Sequence, residues 1–102
     1  MRQPSALAGK RRSKFRLGLL IISPEVLAAI PYHEIFDALS RHNRGDWGTL
    51  IQMDWKANDK ALKCRDERLF SAYYSKKKIK FWIITEWNRS KTTVLFPDEY
   101  DV

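Results

Sequence analysis

Ile79-Lys80-Phe81-Trp82-Ile83-Ile84-Thr85 is the strongest strand in the chain. It sets Ile79, Phe81 and Ile83 on one face against Lys80, Trp82 and Ile84 on the other, the period of two of a pleated strand. With helices covering one sheet face only, the Ile79, Phe81, Ile83 set belongs to the core and Trp82 lies on the opposite face with Lys80. Residues 69–74 before it are aromatic and strand-like, and residues 75–78 form a polar turn with three lysines. Residues 87–90 make a second turn, 92–96 a third strand, and Pro97 stops it. Connections this short favour an antiparallel meander.

The chain before the meander reads as helix. Ser23 is a good N-cap and Pro24 fits the first helical position, so a helix should run from 24 toward 30, where Pro31 breaks it. A second helical piece follows to about 41, with Ile35, Phe36 and Leu39 on one face. Two glycines make residues 41–48, Arg-His-Asn-Arg-Gly-Asp-Trp-Gly, the most loop-like segment of the middle. Asp46 can cap the next helix, whose apolar face reads Leu50, Met53, Ala57 and Ala61. Residues 17–22 are either a first strand or an apolar lead-in. The expected fold is therefore α+β: N-terminal helices packed on one face of a three- to four-stranded antiparallel sheet.

The bulk numbers bound the rest. The 102 residues suit one domain, taken as 17–102 behind a basic tail, 1–16. That tail holds Arg2, Lys10, Arg11, Arg12, Lys14 and Arg16 and no acid, while the remainder carries 13 basic and 12 acidic residues, so nearly all of the net charge of +7 belongs to the tail. Polar, basic and carrying Pro4 and Gly9, it reads as disordered. An arm of this kind raises affinity for any polyanion, nucleic acid included, without reading sequence. It serves equally as a solubilising terminus. The longest apolar run, 19–22, is far short of the roughly 20 residues a membrane span needs, and no signal peptide is read at the start. The single Cys64 forms no internal disulfide and suits a reducing cytoplasm.

Few residues are candidates for chemistry. His33, His42 and Cys64 lack paired metal-ligand spacing, and no Gly-rich phosphate loop or nucleophile elbow points to a cofactor or a familiar hydrolase. His42 stands out, between Arg41 and Arg44 where a helix meets a Gly-rich loop. An imidazole there can act as general base, with Arg44 and Arg89 on a phosphate and Thr85 or Thr92 as a positioning hydroxyl. It equally suits a helix C-terminus, where a cation meets the negative end of the dipole. Asp46 is a ligand-binding carboxylate or a cap. Trp47 is a core anchor or a base-stacking ring. Tyr73, Tyr74, Lys80 and Trp82 could make an aromatic, basic sheet face of the type that stacks single-stranded bases. Arg89, in its turn, clamps a phosphate or pairs with Glu86.

Three stretches carry a resemblance: 41–48 as above; Leu69-Phe70-Ser71-Ala72-Tyr73; and Ile84-Thr85-Glu86-Trp87-Asn88-Arg89-Ser90 running into Thr92-Thr93-Val94-Leu95-Phe96-Pro97-Asp98-Glu99-Tyr100. Together they resemble a family of small uncharacterised bacterial proteins of plasmids, prophages and other mobile elements, over about residues 17–100. The chain departs from that pattern at Trp87 and Asn88, where an acidic or small residue is more usual. The resemblance implies an accessory or binding protein of a mobile element, acting on nucleic acid or on a nucleic-acid-handling protein, and implies no established activity. The architecture is also similar to that of small toxin-type ribonucleases, which cut RNA without a metal. A third possibility is a structural homodimer joined through an exposed edge strand.

Overall fold

The computed structural model describes residues 13–65 and 67–100. The elements run β1 (Leu19–Ile22), α1 (Pro24–Ala29), α2 (Tyr32–Asn43), α3 (Gln52–Cys64), β2 (Leu69–Tyr74), β3 (Lys80–Thr85) and β4 (Lys91–Leu95), with a 3-10 turn at Pro97–Glu99. The fold is α+β, with a four-stranded sheet in the order β1-β4-β3-β2. The sheet is mixed, which corrects the all-antiparallel expectation. Strands β2, β3 and β4 form the antiparallel meander, and β1 lies parallel to β4 with Leu20 opposite Thr92. The crossover through three helices carries the chain from β1 at one edge to β2 at the other, and two hairpin reversals then bring β4 back, parallel, against β1.

Side-chain alternation decides what the helices cover. Phe81 and Ile83 of β3, Tyr73 of β2 and Val94 of β4 face Val26 and Ile30 at the α1 end and Ile35, Ala38 and Leu39 of α2. A second cluster of Trp47, Ala61 and Leu69 is closed by Phe15, Leu50, Trp55 and Leu62. Ser23 caps α1 by accepting from Val26 N at 3.1 Å and donates its own hydroxyl to Glu99 Oε1 at 2.9 Å, tying the first helix to the end of the chain. The faces of α2 and α3 match the sequence reading at Ile35, Leu39 and Ala61 and differ elsewhere. Phe36 and Met53 are exposed; α2 buries Ile35, Ala38, Leu39 and His42, and α3 buries Asn58 and Ala61. Asn58 is inside because its amide pairs with the backbone of Phe70 at the edge of the sheet. Tyr73 also sits on the helix side, so it takes no part in the aromatic face expected with Tyr74 and Trp82.

Residues 1–12 of the basic tail lie outside the described residues. Residues 13–16 do not behave as a tail: Lys14 N donates to Asn43 O at 2.9 Å and Phe15 packs into the second cluster. Among the described residues, no helix is long and apolar enough to cross a membrane.

Candidate functional site

His42 lies in the last turn of α2 and is completely buried. The sequence allowed an accessible base or a residue at a helix C-terminus; the structure keeps the helix-end position and corrects the accessibility. The α2 pattern that buries Ile35, Ala38 and Leu39 carries its inward face one turn further, onto position 42. There the ring meets two strand hydroxyls, and a third stands behind one of them. Its Nδ1 is 2.6 Å from Ser71 Oγ and its Nε2 is 2.9 Å from Thr85 Oγ1. Thr85 Oγ1 is 2.7 Å from Thr92 Oγ1, which donates to Leu17 O at 2.7 Å. Ser71, Thr85 and Thr92 face the helices because each falls on the inward parity of its strand.

This chain of bonds has one consistent proton arrangement. The Thr92 hydroxyl proton is committed to the Leu17 carbonyl, so Thr85 donates to Thr92. Thr85 then accepts from a protonated Nε2, and an uncharged ring leaves Nδ1 to accept from Ser71. Burial, with the Arg89 charge second, pulls the His42 pKa down from 6.5 to about 3. The imidazole is neutral at pH 7 and both of its nitrogens are engaged.

Two aromatic rings close the network from outside. Phe15 meets His42 edge-on at 5.3 Å and Trp47 does so at 5.4 Å. Trp47 is fully buried and its indole N–H donates to Asp59 Oδ1 at 3.0 Å, so it is a core anchor and presents no face to a base. On the outer side of Phe15 lies a cavity of about 330 Å³ lined by Ser13, Lys14, Phe15, Arg16, Leu62, Arg65 and Arg89. Four of these seven side chains are cationic, and none of the described lining residues is acidic.

Comparison of the chain with family models, curated proteins and solved structures finds no match.

The remaining residues singled out from sequence divide between this region and elsewhere. Arg89 converges on it, with its guanidinium 5.9 Å from the Phe15 ring, but neither as a bare clamp nor as a partner of the Glu86 carboxylate. It sits in the turn at φ 60° and donates to the carbonyls of Glu67, Glu86, Trp87 and, at the end of α3, Ala61. Carbonyls at a helix C-terminus suit a guanidinium, so Arg89 fastens the β3–β4 turn to α3 at the wall of the cavity. Arg44 turns its guanidinium back to Ser40 Oγ at 2.6 Å. Asp46 does not cap α3, which begins at Gln52. It accepts from Arg41 Nε at 2.8 Å and from Gly48 N at 3.1 Å, and the Arg41 bond holds its carboxyl below the usual range. Trp82 and Lys80 lie on the far sheet face. Trp82 is half-buried between Phe70 and Tyr100, and Lys80 is exposed beside Tyr74.

Sequence reasoning passed over Phe15, Arg65, Leu62 and Ser71. The only signal for Phe15 was the alternation Phe15-x-Leu17 inside a basic run. Arg65 enters the cavity because it closes α3 in the left-handed region at φ 59°, a direction no periodicity announces.

Proposed function

We propose that this chain is a non-enzymatic accessory protein of a mobile genetic element that binds nucleic acid through its phosphates. The mobile-element part rests on the resemblance carried by residues 41–48, 69–73 and 84–100. The nucleic-acid part is carried by one observation: Lys14, Arg16, Arg65 and Arg89 line a single cavity, and it adjoins in sequence the four further basic residues Arg2, Lys10, Arg11 and Arg12. Clustered guanidinium and ammonium groups hold phosphate oxygens and release the counterions condensed on a nucleic acid. Arg65 and Arg16 are exposed, so both can reach a backbone without unfolding anything.

The ribonuclease alternative asks His42 to touch a scissile phosphate. In this structure the ring lies behind Phe15 and Trp47 and spends both nitrogens on hydroxyls, an arrangement that supports a structural role.

Fluorescence anisotropy with labelled DNA and RNA oligonucleotides over a range of salt tests the proposal. Binding should weaken as salt rises, and Arg16→Glu and Arg65→Glu should each lower affinity and flatten the salt slope by about 1. Unchanged binding in the double variant would remove the cavity as the contact site. Metal-independent RNA cleavage by the wild type, lost in folded His42→Ala and Arg89→Ala variants, would replace this reading with the nuclease one.

A further inference from the structure

The two edges of the sheet are treated differently. The β2 edge is sealed within the chain: Ala72 N donates to Trp47 O at 3.3 Å, Thr49 N donates to Ala72 O at 2.8 Å, and the Asn58 amide occupies the backbone of Phe70. Gly48 makes this possible. Its φ is +76° and an added Cβ would lie 1.9 Å from Ala72 O, so the loop lies directly against the strand. At the other edge, no strand among the described residues lies beyond β1.

The hydrogen-bond phase of β1 shows what its outer edge offers. Leu19 N donates to Ser90 O and Ser23 N donates to Val94 O, both at 2.9 Å. In a parallel pair alternate residues bond to the neighbour, so residues 19, 21 and 23 bond to β4, and Leu20 and Ile22 direct their N–H and C=O groups outward. Edge strands are ordinarily blunted by charge, proline or a bulge. Residues 17–23, Leu-Gly-Leu-Leu-Ile-Ile-Ser, have none of the first two, although the chain carries a net charge of +7. On the open face Leu19 is 66% and Ile21 38% exposed.

We propose that β1 is a homodimer interface, pairing antiparallel with β1 of a second copy about a two-fold axis at Ile21 to make one continuous eight-stranded sheet. The register follows from the phase. Leu20 of one copy opposes Ile22 of the other and the two exchange both backbone bonds; the symmetric pair doubles this to four. Ile21 then meets its own equivalent as a non-hydrogen-bonded pair, the closer of the two pair types. A second copy is the occupant because the strand is self-complementary under a two-fold, as an isologous interface demands. A neutral strand also lets two chains of like net charge approach. The proposal is independent of the nucleic-acid reading, since β1 is not part of the cationic cavity.

Analytical ultracentrifugation of the full chain should show a concentration-dependent dimer. Ile21→Lys places two ammonium groups at the axis and should return a monomer with an unchanged circular dichroism spectrum; Leu19→Lys, at the more exposed position, gives the same readout if the first variant does not fold. Cross-linking reads the register. In a Cys64→Ser background, Ile21→Cys should close a disulfide under mild oxidation, because the non-hydrogen-bonded pair places Cα atoms about 4.5 Å apart. Leu19→Cys should not, its equivalents being four residues out of register, about 13 Å apart. A wild type that stays monomeric up to millimolar concentration overturns the proposal. So does a dimer that survives both lysine variants, and so does cross-linking through Leu19→Cys in place of Ile21→Cys.

Discussion

His42 is the residue whose surroundings most change its expected behaviour. As a helix-end cation it would contribute under about 1 kcal/mol. Buried, bonded at both nitrogens and wedged between Phe15 and Trp47, it should cost about 3 kcal/mol when cut to alanine, through a cavity and stranded hydroxyls. Denaturant unfolding of His42→Ala checks this, and a loss below about 1 kcal/mol would mean the network contributes nothing. The pH dependence has a definite sign. The unfolded ring takes up a proton near 6.5 and the folded ring only near 3. Between those values the unfolded state binds more protons, so stability is full above 6.5 and falls as pH drops, by about 1.4 kcal/mol per pH unit. From 6.5 to about 5, above the ordinary carboxylate range, a folded His42→Gln variant should lack most of that slope in urea titrations. Nitrogen NMR of the wild type at pH 7 should find the ring neutral with its proton on Nε2. A proton on Nδ1 would reverse the bond directions argued from Thr92 and Leu17.

Among the elements, β3 behaves as its alternation demands. Phe81 and Ile83 are buried under the helices while Trp82 lies on the other side. That side is partly covered, however, because Tyr100 folds back onto Trp82 at 5.9 Å and Phe70 meets it edge-on at 4.9 Å. Phe81→Ala should cost about 3–5 kcal/mol as a core truncation, whereas Trp82→Ala should cost about 2, mostly from two lost ring contacts. Equal losses in chemical denaturation would mean that the second face is as closed as the first. The covering segment itself hangs on Ser23, which serves α1 and Glu99 at once. Ser23→Ala should therefore cost about 1 kcal/mol or slightly more, the loss of a cap together with a side-chain bond.

At the scale of the molecule, charge and packing are separable. Phe15 packs against the second core cluster, so the domain takes in residue 15, which the sequence reading placed in the tail. Removing residues 1–12 should leave the melting temperature unchanged while weakening polyanion binding and its salt dependence. Removing 1–16 should also lower the melting temperature, since Phe15 and the Lys14 bond to Asn43 go with it. Equal melting temperatures for the two truncations would show that Phe15 contributes no packing.

What the sequence determined by itself is what depends on near neighbours. The meander came from period-two alternation at 69–96, α1 from Ser23 and Pro24, and the inward set Phe81 and Ile83 from the parity of one strand. The tertiary structure alone decided what joins residues far apart. Whether β1 lies parallel to β4 depends on a crossover through three helices, which no local pattern encodes. The inward faces of α2 and α3 were read rightly at Ile35, Leu39 and Ala61, but His42 and Asn58 were missed because burial there is set by partners: His42 by hydroxyls on two strands, Asn58 by the Phe70 backbone. The cationic cavity is the extreme case. Its four charges, Lys14, Arg16, Arg65 and Arg89, come from the segment before β1, a left-handed helix end and a hairpin turn. Like charges so far apart in sequence carry no sign that they will share one wall, because tertiary contacts bring them together: Phe15 against Trp47 and His42, and Arg89 on the Ala61 carbonyl at the end of α3.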